Sequence, residues 1–245
     1  MDINELDLNL QLLRGKAINI SGIKVYPLTL DEIAEIGIKQ YQQYLGLLCL
    51  SDEELKNNGL SDYTTFRYLL EIQSHGDDKL KKYIGYIWRC FLREDIVPDI
   101  ENNVFLMKDV IIDEDCFNDI VKILKQQNCL EENSNTEEKQ HFANEKAREI
   151  FMKLQKNRQK IKKMKEEDGN VITLDNLISI LSAYSNNLNL LSVYKLTMYQ
   201  FNNQFNRLKM LKDYEFNICA LTSFNLDSSQ LDFKHWLRPV EENND

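Results

Sequence analysis

The sequence is poor in the residues that turn chains and carry chemistry. It holds 8 Gly, 3 Pro and 3 His in 245 residues. So few turn formers disfavour turn-rich all-β folds, glycine-loop nucleotide folds and long disordered linkers. The histidines, His75, His141 and His235, are far apart, and none lies within four residues of a cysteine or another histidine. The five cysteines show no CxxC spacing and read as small free thiols of a reducing compartment. Long apolar runs are missing too. The longest, Tyr44 to Leu50, falls far short of the about 20 residues a membrane-spanning helix needs. The opening Met1-Asp2-Ile3-Asn4-Glu5 lacks an apolar core, so neither a secretory nor a mitochondrial signal is expected.

Catalytic signatures are also lacking. There is no GxGxxG, GxxxxGK[ST], HExxH or GxSxG. The acids around Cys116 do not follow the spaced ladder of a calcium loop. A non-catalytic protein without metal or cofactor is expected.

What is present is helix. Hydrophobic residues make up 43% and charged residues 28%, enough to fold. Thr29-Leu30-Asp31-Glu32 and Ser51-Asp52-Glu53-Glu54 are capping boxes, in which a hydroxyl and a carboxylate satisfy the first free amides reciprocally. They open helices from about 30 to 49 and from 52. A further helix is expected from Ser61 to about Ser74. Leu80, Tyr83, Ile84, Ile87, Trp88 and Phe91 recur at threes and fours and form one broad apolar stripe of a core helix. Asp113 caps a helix to about 128, with Phe117, Ile120, Val121 and Leu124 inward. Two hairpins punctuate this series, one turning at Ser21-Gly22 and one at Lys108-Asp109. Residues 1–14 alternate leucine with polar residues and read as a strand or extended arm.

Glu131 to Thr136 is a polar linker. It divides the chain into 1–130, a hairpin with helices, and 131–245, a long basic helix with a helical C-terminal region. The expected class is mainly α with one or two small hairpins. The long helix spans about 137–167. Its apolar residues Ala143, Ala147, Ile150, Leu154, Ile161 and Met164 form a narrow heptad seam interrupted by Asn157. Such a seam suits a partner helix, whether in this chain, in a second copy or in another protein. Ile150, Leu154, Ile161 and Met164, with Lys156, Arg158 and Lys162 beside them, are the candidate partner-binding residues.

Charge singles out the same stretch. Residues 145–165 hold nine basic and two acidic residues, a net +7, so the rest of a chain of net −9 carries −16. Nine cations could meet phosphates. No aromatic interleaves after Phe151, however, and an acidic body repels polyanions. A solvated helix or a surface for an acidic protein segment fits better than nucleic acid.

Downstream, Thr173 should cap a helix, and helices are expected over about 191–212 and 214–224. Tyr194, Tyr199, Phe201, Phe205 and Trp236 form an aromatic group suited to core packing or partner binding. The end, Leu231 to Leu237, is apolar enough to dock, and Glu241 to Asp245 reads as a solvated tail.

Two segments together carry a resemblance. One is Ile18 to Gly37, with Ile23-Lys24-Val25-Tyr26-Pro27-Leu28-Thr29-Leu30-Asp31-Glu32-Ile33. The other is Val171 to Leu237, with Ser192-Val193-Tyr194-Lys195-Leu196-Thr197-Met198-Tyr199-Gln200-Phe201, Phe205-Asn206-Arg207-Leu208 and His235-Trp236-Leu237. The chain resembles the tail assembly chaperones of tailed phages and prophages of low-GC Gram-positive bacteria. The resemblance implies a non-catalytic protein of the bacterial host cytoplasm. It would bind the long helical tape-measure protein, pass it to tail-tube subunits and be absent from finished particles. It transfers no single site residue. A structural tail or virion component, and a phage regulator using residues 145–165 on nucleic acid, are the alternatives.

Overall fold

The computed structural model describes residues 5–57, 60, 63–130 and 173–224. The fold is mainly α with one two-stranded and one three-stranded antiparallel sheet. The chain divides into two compact units. One comprises residues 1–130 with 191–245, and the other residues 131–190.

The larger unit begins with α1 (Glu5–Arg14), a helix where alternation suggested an extended arm. Leu8 and Leu12, four apart, are buried on one face while Leu10 points to solvent. The alternate leucines therefore satisfy a helical face as well as a strand, and packing on a later helix decides between them. The first hairpin follows, β1 (Ile18–Ile20) and β2 (Ile23–Val25), paired Ile18↔Val25 and Ile20↔Ile23. Ser21 and Gly22 both take positive φ, as a two-residue primed turn requires. Its inner face of Ile18, Ile20, Ile23 and Val25 is buried.

The expected helix over 30–49 is two helices, α2 (Leu30–Ile36) and α3 (Ile38–Leu48). Gly37 separates them at φ 89°, a value the apolar pattern does not encode and glycine alone takes without strain. Next come α4 (Asp52–Asn57), α5 (Thr65–His75) and α6 (Asp78–Leu92). Both expected capping boxes form, with Glu32 N donating to Thr29 Oγ1 at 3.3 Å and Glu54 N to Ser51 Oγ at 3.2 Å.

The second sheet has one more strand than the expected hairpin. β3 (Val97–Asp99) pairs with β4 (Val104–Met107), and β4 with β5 (Val110–Ile112). Pro98 marks β3 as an edge strand, where a missing amide is tolerated. Asp113 caps α7 (Glu114–Gln127), its Oδ1 accepting from Cys116 N at 2.9 Å.

The core lies where α5, α6, β4 and α7 meet. Phe66, Trp88, Phe105 and Phe117 are each buried to 1% exposure or less. Their ring centroids stand 5.5–6.0 Å apart in edge-on and tilted pairs. Such pairs add about 0.5–1.5 kcal/mol each beyond area burial. The end of α7 is tied down by polar contacts. Tyr41 Oη donates to buried Asn128, and Gln127 Nε2 donates to the Val25 carbonyl at 3.2 Å.

The smaller unit contributes α8 (Leu174–Tyr184), with Ile178 and Leu181 buried. Thr173 stands at its N-cap, but its hydroxyl accepts from the Asn176 side chain rather than from a backbone amide. The short α9 (Leu190–Val193) follows. In place of two expected helices over 191–224, one continuous helix, α10 (Met198–Phe224), packs on α1 and α7.

Candidate protein-binding surface

The two segments that carry the resemblance meet in the larger unit. Thr29 and Thr197 form an isolated antiparallel bridge. Leu30 N donates to the Leu196 carbonyl at 2.8 Å, and Asp31 N to the Tyr194 carbonyl at 3.0 Å. These are first-turn amides of α2, which no carbonyl of their own helix can reach. Glu32 N and Ile33 N bond to Thr29, so all four N-terminal donors of α2 are satisfied.

Thr197 heads a third capping box, built with glutamine. Thr197 N donates to Gln200 Oε1 at 3.0 Å, and Gln200 N to Thr197 Oγ1 at 3.3 Å. The two helix starts are thus joined back to back through their cap residues. Gln200 Nε2 also donates to the Leu13 carbonyl at 2.8 Å, satisfying an orphan acceptor at the end of α1. This contact needs Gly15. It sits at φ 66°, and a Cβ there would fall 2.6 Å from Gln200 Nε2. Tyr199 Oη reaches Asn9 at 3.4 Å.

Charge reinforces the junction. Arg93, the left-handed cap of α6, pairs with Glu32 and places its guanidinium 5.8 Å from the Tyr26 ring centre. Partial burial works to raise the Glu32 pKa. The Thr29 amide and the Arg93 guanidinium outweigh it and hold the carboxyl below its ordinary value. Beside the junction an open cleft of about 420 Å³ is lined by Arg14, Lys16, Lys24, Tyr26 and Pro27. No histidine or cysteine lines it.

From this junction α10 extends for 27 residues. Phe201 is buried and stacks on half-buried Phe205 at 6.1 Å. Further along, Phe216 is 70% exposed. Of the expected aromatic group, Tyr194, Tyr199, Phe201 and Phe205 therefore lie at or just beyond the junction. Trp236 lies outside the described residues, as do Ile150, Leu154, Lys156, Arg158, Ile161, Lys162 and Met164. Thr197 and Gln200 are not among the residues expected at the site. Their signal was legible, since Thr197-Met198-Tyr199-Gln200 is a threonine followed three residues later by glutamine.

None of the cysteines is in a disulfide, and burial pushes the thiols of Cys49, Cys90 and Cys116 up, Cys49 to about 11. That is opposite to what an activated nucleophile requires. Among the described residues no group of His, Cys, Asp and Glu is placed to hold a metal, and no helix is long and apolar enough to cross a membrane.

The architecture defines a mainly helical protein in which a long C-terminal helix is fastened by its first turn to the N-terminal elements. Within it, residues 162–241 match the family model of the YomV second domain, and the chain is similar to that domain there. This is a phage-encoded protein family. The match spans less than half of the chain, and it includes α8, α9 and α10. No curated protein and no solved structure matches.

Proposed function

We propose that the protein is a phage tail assembly chaperone, which binds the tape-measure protein in the host cytoplasm and promotes tail-tube assembly without catalysis. The observation that carries this reading is the similarity of residues 162–241 to a phage-encoded domain, a stretch in which this chain's α10 presents Phe216 to solvent. A long helical client needs its apolar face covered, and helices offer that cover through ridges and grooves. The resemblance of Ile18–Gly37 and Val171–Leu237 to tail assembly chaperones points the same way. The Thr29–Thr197 bridge brings residues of the two segments together within the larger unit.

The test is co-expression of the full chain with the tape-measure protein encoded beside it. The client should become soluble and co-purify, and Phe216→Glu should weaken the complex without changing the chaperone's own melting temperature. Absence of any complex would sink the reading. Stoichiometric presence in purified particles would replace it with a structural role.

A further inference from the structure

The outer face of the three-stranded sheet is unusual. An antiparallel sheet with one solvated face normally alternates apolar-in with polar-out. The inner face here conforms, with Phe105, Met107 and Ile112 buried. On the outer face, register places Val97 opposite Leu106 and Leu106 opposite Ile111. These three side chains form one row across all three strands and are 59%, 37% and 61% exposed.

Acids border the row on both sides. Strand alternation puts Asp99 on the same face as Val97, while Asp95, Asp109 and Asp113 stand just outside the strands, exposed and two residues from Val97 or Ile111. In chain order, acid, apolar, acid recurs at positions 95, 97 and 99 and at positions 109, 111 and 113. Asp99 lies opposite Val104, and Lys108 sits in the β4–β5 turn. The surrounding stretch, residues 94–115, holds eight acids against that one lysine. Lys108 is engaged by Glu94, and Asp95 by Arg89. Asp99 accepts from Asn102, and Asp113 accepts from the α7 amide. Both carboxylates keep further acceptor positions, and Asp109 makes no ion pair among the described residues.

We propose that this face is a docking surface for a basic amphipathic α-helix of another protein. Acids stand two residues before and after Val97 and Ile111, and Asp99, within its strand, lies about 6.7 Å from Val97. A helix lying along the strands repeats its face every 5.4 Å or so. An apolar residue over the row then sets Lys or Arg one turn before and after it over the acids. Nucleic acid and anionic membrane are repelled by the same acids. A second copy of the sheet placed face to face would set Asp against Asp. The proposal is independent of the tail-assembly reading, because charge and apolar pattern alone define the partner.

The experiment titrates the full chain against a fluorescent helical peptide of about 20 residues, long enough to be helical, with Leu at the seam and Lys flanking it. A Leu/Glu peptide of the same pattern is the control. The Leu/Lys peptide should bind and the Leu/Glu peptide should not. Leu106→Ser with Ile111→Ser should weaken binding about tenfold, and Asp99→Asn with Asp109→Asn about fivefold with a shallower salt response. Asp7→Asn with Glu35→Gln, acids elsewhere on the unit, should stay within about twofold of the parent. No binding by the parent, parent-like binding by the row variants, or equal loss in the Asp7/Glu35 control would each overturn the proposal. If the double serine variant fails to fold, Ile111→Thr takes its place. Hydrogen exchange on the parent then decides by itself, since bound peptide must protect residues 97–112.

Discussion

α6 and α10 belong to the same unit and are built on opposite terms. α6 has 15 residues and buries Ile84, Ile87, Trp88, Cys90, Phe91 and Leu92. α10 has 27 residues, and among its described side chains only Phe201 is buried. The first is held along its length by apolar packing. The second packs on α1 and α7 and is fastened at its first turn by a capping box, a bridge to Thr29 and a hydrogen bond from Gln200 to α1. Burial along a helix makes it scaffold. α10 instead joins a fastened first turn to exposed side chains such as Phe216.

The sharpest way to break this contrast is truncation in each helix. Trp88→Ala should cost about 3–5 kcal/mol in denaturant unfolding, a large share of a domain's stability. Phe216→Ala should stay within about 0.5 kcal/mol, as exposed substitutions do. Comparable losses would mean that the outer half of α10 is part of the core. Phe201→Ala comes next, near the lower end of the same range, about 3 kcal/mol. Its distinguishing readout is hydrogen exchange. The amides of α10 should lose protection while those of α5 to α7 keep theirs, and uniform loss would show that the two helices unfold as one.

Smaller effects probe the junction. Thr197→Ala and Thr29→Ala should each cost about 1 kcal/mol, the usual worth of a cap. Because the two threonines bridge one another, the double variant should depart from additivity by about 0.5 kcal/mol or more. Additive losses would mean that the two boxes act as separate caps.

Local chemistry explains what the sequence made legible. The boxes at Thr29 and Ser51, the Asp113 cap and the α6 stripe are set by residues within a few positions of one another, and all are present. The features that were not legible depend on distant partners. The leucines of α1 alternate like a strand, and packing on α10 resolves them as helix. β3 is three residues long, contains Pro98 and exists only because β4 lies beside it. The outward row Val97, Leu106 and Ile111 needs a register that no single segment carries. At the junction, the aromatics Tyr199 and Phe201 stand out in the sequence, while the polar pair Thr197 and Gln200 does the joining. The partner-binding seam expected from Ile150 to Met164 lies outside the described residues.

The smallest expected effect concerns pH. Glu32 is half-buried, caps α2 and pairs with Arg93, and its pKa is held below the ordinary 4.5. A carboxyl whose folded pKa is depressed contributes stability above its unfolded pKa. That contribution disappears as pH falls through the folded value. The affected window therefore lies below about pH 4.5, and neutral pH is untouched. Hydrogen bonds depress Glu54, Asp99 and Asp175 in the same direction, so Glu32 is one of several contributors to acid sensitivity. Glu32→Gln should keep much of the cap geometry but remove the titration. Its unfolding midpoint should fall slightly at neutral pH, within the 0–1 kcal/mol or so of a solvent-accessible ion pair. Below pH 4.5 its curve should run flatter than the parent's and converge with it. If the parent and variant curves stay parallel down to pH 3, the Arg93–Glu32 contact is geometric only, and the junction is held by its backbone bonds and threonine caps.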